Sequence, residues 1–447
     1  MIEKIKLKLE KYKSIAILGF GREGKSTYKF FRSILADKPL TIIDKINVLE
    51  KNDFLKEDKN LSIVYGDSYL DNLEDYDFIM KTPGISLVDI YEGDNISSQL
   101  NLVLEFYKKQ VIGVTGTKGK STASSLIYEA VKASFSDTFL AGNIGKPVLD
   151  DIYNFTDKSI IVFEISAQQL SDLKYSPHYA FFLNLMVDHL DYFHSIENYE
   201  KYKLNMLKNQ VEGDYALVNP YDAHLMERIK ELNLKSKLID FKENDYLKDN
   251  DIYIGNKLVY SWNKEKRIIK GDHYSLIFLM VLKLIDLLKL DREKAIKAMN
   301  NFKGLAHRLE FAGSINGVDF YDDTIATMPD AVMNGVKSLG NVAALFLGGS
   351  SKNLNYDKMI NFINESNIQF VVLQGPVGKE LDGKIKKDYF YEDDFKTAIT
   401  KALGYAKSGT SILLSPGAAS FDKYKDYAEK GESFKKAIKE VKCLLMK

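Results

Sequence analysis

One cysteine, Cys443 near the C-terminus, is the only thiol in the sequence. A single thiol closes no internal disulfide and supplies no thiolate metal site, so redox staples and cysteine metal centres are set aside. An excess of charge of either sign is also missing, because 62 basic and 62 acidic side chains cancel to a formal net charge of zero. A nucleic-acid polyanion as obligate partner calls for a basic surplus, and none is present. No N-terminal stretch has the charged-then-apolar order of a signal peptide, and no apolar run is long enough to cross a bilayer. The segment from Ile277 to Leu290 comes nearest, but Lys283 and Asp286 break it at helical spacing, which predicts a core helix. Pro/Ser-rich linkers and low-complexity tails are absent as well. These absences together predict a cytoplasmic globular protein with no nucleic-acid partner and no membrane insertion.

What is present suits about three domains in 447 residues, since a single core stops growing well below that length. Short apolar β-rich runs alternate with helical periodicity three times over, the pattern of parallel α/β layers. The first block, 1–105, is expected to place strands at 14–18, 40–43, 62–65 and 77–80. The second, 106–304, is expected to place them at 111–114, 160–163, 179–185 and 215–218, with a hairpin around 251–262 and a helix over 273–288. The third, 305–447, is expected to place strands at 318–321, 343–347, 369–373 and 411–414 and to end in a Lys/Glu-rich helix with a solvated face.

The most specific local signal follows the strand at 111–114. Thr115-Gly116-Thr117-Lys118-Gly119-Lys120-Ser121-Thr122 precedes a helical run from Ala123. Strand, glycine-rich turn, Lys-Ser and helix start in that order make a phosphate cradle. Backbone N–H groups approach the oxygens, the helix N-terminus adds partial positive charge, and Lys120 adds a full one. Ser121 is placed to ligate Mg²⁺ on a nucleoside triphosphate. Val114 stands where the usual spacing has its first glycine. A second glycine signal, Gly19-Phe20-Gly21-Arg22-Glu23-Gly24 with Asp44 ending the next strand, fits a dinucleotide fingerprint. Alone it would suggest an NAD-dependent oxidoreductase, and the phosphate loop in the second block argues against that.

The loop at 115–122 resembles the T-G-T-N-G-K-S-T loop of Mur ligases and folylpolyglutamate synthases. Further motifs fit in order: Gly142-Asn143-Ile144-Gly145, Glu164-Ile165-Ser166, Asp188-His189-Leu190-Asp191, His307-Arg308-Leu309-Glu310 and the run from Leu414 to Asp422. The resemblance spans essentially the whole chain. It implies an α/β protein of three domains: a Rossmann-like UDP-binding domain, a P-loop-type central ATPase domain and a Rossmann-like C-terminal domain. Folylpolyglutamate synthases lack the first of these, so the comparison favours Mur ligases.

The implied activity is an ATP-dependent amide ligase of peptidoglycan precursor synthesis, working through an acyl phosphate as a monomer whose domains close around substrates. ATP would be held by Gly116, Thr117, Lys118, Gly119, Lys120, Ser121 and Thr122, with Arg308 and Asp323 from the third block. Ser121, Glu164, His189 and a carbamylated Lys203 would hold Mg²⁺, two ions in all. Lys120, Asn143, His189, Lys203 and Arg308 would serve the reaction.

The match of Ser166 and Gln169 to E-x-S-S-x-Q-L points to a glutamate-adding member acting on UDP-N-acetylmuramoyl-L-alanine, and it implies that both residues bind substrate. Gly21, Asp44, Thr82 and Gly84 would bind the UDP group. Thr327, Lys352, Ser420 and Tyr427 would grip the incoming glutamate. Without the family, Lys203 also fits a solvated helix face, Lys352 a surface loop, and Arg308 with Asp323 an interdomain salt bridge. Departures are concentrated near the reacting centre. Asp322-Asp323-Thr324-Ile325-Ala326-Thr327-Met328 replaces N-D-S-K-A-T-N, and Tyr274 and Ile277 stand where relatives have adenine-contacting asparagines. An L-glutamate-adding ligase, another Mur ligase and a non-catalytic nucleotide-binding paralogue therefore stay open as alternatives.

Overall fold

The structure is a computed structural model that describes every residue except 145, 240, 242, 263, 265–266, 270–273, 352–353 and 446–447. The chain divides into two compact units, Met1–Asn263 with Ser275–Ala298, and Lys264–Tyr274 with Met299–Lys447.

The first unit contains two wholly parallel sheets. In one, the strands lie in the order Leu61–Tyr65, Leu40–Asp44, Ile15–Leu18, Phe78–Lys81 and Ile96–Ser97. The order reverses beside Ile15–Leu18, so the loops after that strand and after Phe78–Lys81 open a crevice at the carboxyl ends, where open α/β sheets bind ligands. The other sheet runs Lys237–Ile239, Tyr215–Val218, Tyr179–Phe182, Val111–Thr115, Ile160–Glu164 and Thr138–Gly142. Ile15–Leu18 and Val111–Thr115 are buried at every position. A strand covered on both faces reads as a continuous apolar run rather than an alternating one, which is why these strands were plain in the sequence. Each buried Val, Leu, Ile or Phe contributes roughly 1.5–3 kcal/mol. The expected hairpin is a three-stranded antiparallel sheet, Tyr246–Lys248, Asp251–Ile254 and Lys257–Tyr260.

The second unit has one six-stranded sheet ordered Glu310–Ile315, Val318–Asp322, Ser411–Leu414, Val342–Gly348, Phe370–Gln374 and Asp388–Tyr391. Only the first pair is antiparallel. Successive residues face opposite sides. Leu345 and Leu347 accordingly enter one core with Leu373 and Met359, while Phe346 enters the other with Phe370 and Phe434.

Among the strands not expected from sequence are Thr138–Gly142, Lys237–Ile239, Glu310–Ile315 and Asp388–Tyr391. All four lie at sheet edges, where half the backbone is unpaired and burial is incomplete, so their apolar signal is diluted. The run expected at 179–185 ends as a strand at Phe182. The residues that follow leave the ladder to brace the phosphate loop. The last helix, Tyr427–Leu445, buries Lys430 instead of presenting a wholly solvated charged face. Among the described residues no helix is long and apolar enough to cross a membrane.

Candidate active site

The phosphate loop joins the strand Val111–Thr115 to the helix Lys120–Lys132, which starts three residues earlier than expected, with Gly119 at its N-cap. Lys120 Nζ donates to the carbonyls of Gly116 and Thr117, both at 2.9 Å. Ser121 and Thr122 occupy the helix's first turn.

The loop is tied down from the neighbouring strand end. Thr117 N donates to Asn184 O at 3.0 Å. Lys118 N donates to Asn184 Oδ1 at 2.9 Å, and Asn184 Nδ2 donates back to Lys118 O at 3.0 Å. The Thr117 hydroxyl accepts from Met186 N at 2.9 Å and lies 2.8 Å from the Tyr199 hydroxyl. Burial raises the Tyr199 phenol to about 12, so it stays protonated and able to donate. Asn184 and Tyr199 carried no motif of their own; their roles depend on contacts 66 and 82 positions away.

A cleft of about 410 Å³ brings together Lys120, Asn143, His189 and Lys203 with Pro83, Gly84, Ser166, Ala167, Gln168, Tyr192 and Tyr199. The loop after Phe78–Lys81 therefore shares a cleft with the phosphate loop. Tyr192 holds it there, its hydroxyl donating to Ile85 O at 2.9 Å and its carbonyl accepting from the Ser86 hydroxyl at 3.0 Å.

Beside this cleft, Asn143 Nδ2 donates to Glu164 Oε1 at 2.9 Å. Glu164 is 1% exposed, and its Oε2 has no hydrogen-bond partner among the described residues. His189 is exposed with a left-handed backbone (φ 51°), its N–H donating to Asp188 Oδ1 at 2.9 Å. Lys203 is 1% exposed and lies over the Tyr199 ring, which overturns the solvated-face alternative. Burial first and the charge of Lys120 second hold its amine well below the ordinary lysine range, with Asp188 opposing them.

Around the first sheet, Asp44 Oδ2 accepts from Phe20 N at 2.7 Å and Oδ1 from Ile46 N at 3.2 Å. Thr82 is buried and Gly84 exposed. A Cβ at Gly24 would fall 2.1 Å from the Gly19 carbonyl, whereas a Cβ at Gly21 would meet nothing within 4 Å. Gly24 thus serves close packing and Gly21 borders open space. Ser166 and Gln169 form a reciprocal capping box on the helix Ala167–Leu170, and Gln169 Nε2 also donates to Glu23 Oε1 at 3.3 Å. Burial lifts the Glu23 carboxyl to about 6. Of the pair, Ser166 borders the cleft and Gln169 does not line it.

In the second unit, Asp323 is buried, accepting from the Ser415 hydroxyl at 2.8 Å and from Leu309 N at 3.2 Å. Burial raises its carboxyl to about 7, neighbouring Asp322 adds to the rise, and Arg308 opposes it. Arg308 is exposed, Thr327 half-buried and Tyr427 exposed at the start of the last helix. Ser420 is buried, and its hydroxyl has no partner among the described residues. Lys352 and the run 271–273 lie outside the described residues. Lys430, which carried no sequence signal, buries its ammonium against the Gly348 carbonyl at 2.7 Å.

Residues 114–277 match the Mur ligase middle domain family. Over 459 aligned positions the chain is 30% identical to a UDP-N-acetylmuramoylalanine–D-glutamate ligase of Thermoanaerobacter sp. (strain X514), covering 97% of this chain and 99% of the relative. The enzyme of that name from Clostridioides difficile (strain 630) is 28% identical, with 97% and 99% covered. Among solved structures, UDP-N-acetylmuramate–alanine ligase from Thermotoga maritima shares the fold at a TM-score of 0.56 and 18% identity, covering 96% of this chain and all (100%) of that one. With likeness of this extent along nearly its entire length, the chain belongs to the Mur ligase family, among the UDP-N-acetylmuramoylalanine–D-glutamate ligases.

Proposed function

We propose that the chain joins D-glutamate to UDP-N-acetylmuramoyl-L-alanine at the expense of ATP. The observation that carries the reading is the shared cleft of Lys120, Asn143, His189 and Lys203, set beside the orphaned oxygen of Glu164. A carboxylate is a poor electrophile at neutral pH, so the alanyl carboxylate must first be activated. Its oxygen attacks the γ-phosphorus, the bond to the β,γ-bridging oxygen breaks, and ADP leaves. The glutamate nitrogen then attacks the acyl carbon. The tetrahedral adduct collapses to the amide, inorganic phosphate departs with the old carboxylate oxygen, and the nitrogen loses its proton.

Such transfers need positioning and charge neutralisation more than covalent help from protein. Lys120 supplies fixed positive charge. The backbone amides of the loop at 116–119 and the start of the helix Lys120–Lys132 orient the phosphates. Asn143 orients Glu164. A buried carboxylate oxygen with no donor fits a cation, and the hydroxyl of Ser121 and imidazole of His189 complete a donor set suited to Mg²⁺. When bound, Mg²⁺ neutralises charge on the triphosphate; we propose two ions, the second held with a carbamylated Lys203. The depressed basicity of Lys203 supports that modification, because the neutral amine is the form that adds to CO₂, losing a proton as the C–N bond forms.

Within this reading, residues 1–105 hold the UDP group through Gly21, Asp44, Thr82 and Gly84. Arg308 and Asp323 serve ATP, and Thr327, Lys352, Ser420 and Tyr427 serve glutamate. The test is phosphate release with ATP, Mg²⁺ and UDP-N-acetylmuramoyl-L-alanine, supplying D- or L-glutamate in separate reactions. Release requiring the D-isomer is expected. Release only with the L-isomer would move the specificity, and none with either would overturn the proposal.

A further inference from the structure

Arg308 lies between two non-glycine residues in the left-handed region, His307 at φ 63° and Leu309 at φ 44°. Side chains with a Cβ rarely adopt that backbone, and it persists only where the surroundings over-determine it. The surroundings here are specific. His307 Nδ1 donates to Asp322 Oδ2 at 2.7 Å, and its backbone N donates to Glu310 Oε2 at 2.8 Å. Its carbonyl accepts from Ile325 N at 3.1 Å, and Leu309 N donates to Asp323 at 3.2 Å.

Asp322 is fully buried, and its Oδ1 accepts from both the backbone and the hydroxyl of Thr324, at 3.0 and 2.8 Å. From the last helix, Lys435 Nζ lies 2.6 Å from Glu310, 3.7 Å from Asp322 and 2.9 Å from Glu432. That helix comes so near that a Cβ at Gly431 would fall 2.2 Å from His307 Nδ1 and 2.3 Å from Asp322 Oδ2. His307, Glu310 and Asp322 are close enough together to hold a metal ion, but the Lys435 ammonium is already paired with Glu310 and lies 3.7 Å from Asp322.

We infer that His307 and Asp322, braced by Lys435 and Glu310, are positioning residues that hold the turn at 307–309 and so aim Arg308 and Asp323 at ATP. The charge of Arg308 acts on both Asp323 and the half-buried Tyr274, so the guanidinium and these two groups form one local constellation. Asp322 holds the turn through His307 and the backbone, and its charge also acts on Asp323. This inference rests on the assignment of Arg308 to ATP made above.

The experiment is a double-mutant cycle of Asp322→Asn and Arg308→Ala, measured as KM for each substrate and kcat, with thermal melting to establish folding. Arg308→Ala is expected to raise KM for ATP about tenfold, Asp322→Asn about three- to tenfold, and the double variant no further than Arg308→Ala alone. KM for the other two substrates should stay unchanged. Multiplying effects in the double variant, or a folded Asp322→Asn with unaltered KM for ATP, would overturn the positioning role. An unaltered KM for ATP in Arg308→Ala would instead overturn the assignment beneath it. If Asp322→Asn fails to fold, Lys435→Met and Lys435→Arg carry the test. The first should raise KM for ATP and the second restore it, and equal values in both would sink the inference.

Discussion

Asn143 donates its side-chain amide to Glu164 Oε1 at 2.9 Å, leaving Oε2 buried with no partner among the described residues. An unsatisfied buried carboxylate oxygen is costly, and such an atom in a native fold calls for a ligand or a stated reason. The pairing also fixes the carboxylate's orientation, since one oxygen is held and the other meets no donor among the described residues. Glu164→Gln keeps the shape and the acceptor for Asn143 but removes the charge. We expect phosphate release to fall by roughly 10²–10³-fold, the scale of losing one electrostatic contact at a reacting centre. The Mg²⁺ concentration for half-maximal rate should rise as well; an unchanged Mg²⁺ requirement would remove Glu164 from the metal site.

Substitutions at Gly21 and Gly24 should separate the proposed ligand approach from folding. A Cβ at Gly24 strikes the Gly19 carbonyl, so Gly24→Ala should lower the melting temperature and reduce soluble yield. Gly21 is at φ −72° with open space beside it, so Gly21→Ala should melt like the parent. Its KM for the UDP substrate should nonetheless rise. Equal KM values in Gly21→Ala and parent would place the diphosphate elsewhere.

Asp323 should give stability and the proposed ATP binding opposite signs. Burial raises its folded carboxyl to about 7 from the ordinary 3.8, so its contribution to stability is present below 3.8 and is lost as pH rises through 7. At pH 8 the fold holds a buried carboxylate that Asp323→Asn would neutralise. The apo variant should melt several degrees higher at pH 8, at roughly 2–4 °C for each kcal/mol relieved. The gap should close toward pH 4, while ATP binding weakens. Calorimetry at the two pH values checks this; a lower melting temperature at pH 8 would contradict it.

Lys430 predicts the reverse slope. Its amine is held to about 8 by burial, against 10.5 for a free lysine. Between those values the unfolded chain binds a proton that the folded chain lacks, so stability should rise with pH across that window. The difference is on the order of 3 kcal/mol. Lys430→Met should flatten the rise, as seen in denaturant unfolding at pH 8 and pH 10. A parent and variant with parallel pH dependence would show that the lysine titrates normally.

Much of this protein was legible before folding, wherever meaning resides in neighbours along the chain. The phosphate loop needs only a strand, glycines, Lys-Ser and a helix start, all within 111–132, and buried parallel strands announce themselves as unbroken apolar runs. Edge strands such as Glu310–Ile315 and Asp388–Tyr391 stayed hidden because they are half-exposed and their patterns are mixed.

Ser166 and Gln169 show the limit from the other side. The family motif implies substrate contacts for both, and the structure shows that the same spacing makes a capping box in which each engages the other. Whether a lysine is solvated or buried was decided only by tertiary structure. Lys203 and Lys430 look like any other helical lysine, and each lost its solvent to partners far away in the chain, Lys203 beside Lys120 and Lys430 against Gly348. The reason is physical. Composition and spacing specify which groups are available and which local backbone they favour, whereas desolvation and pairing depend on which distant groups the fold brings within a few ångströms.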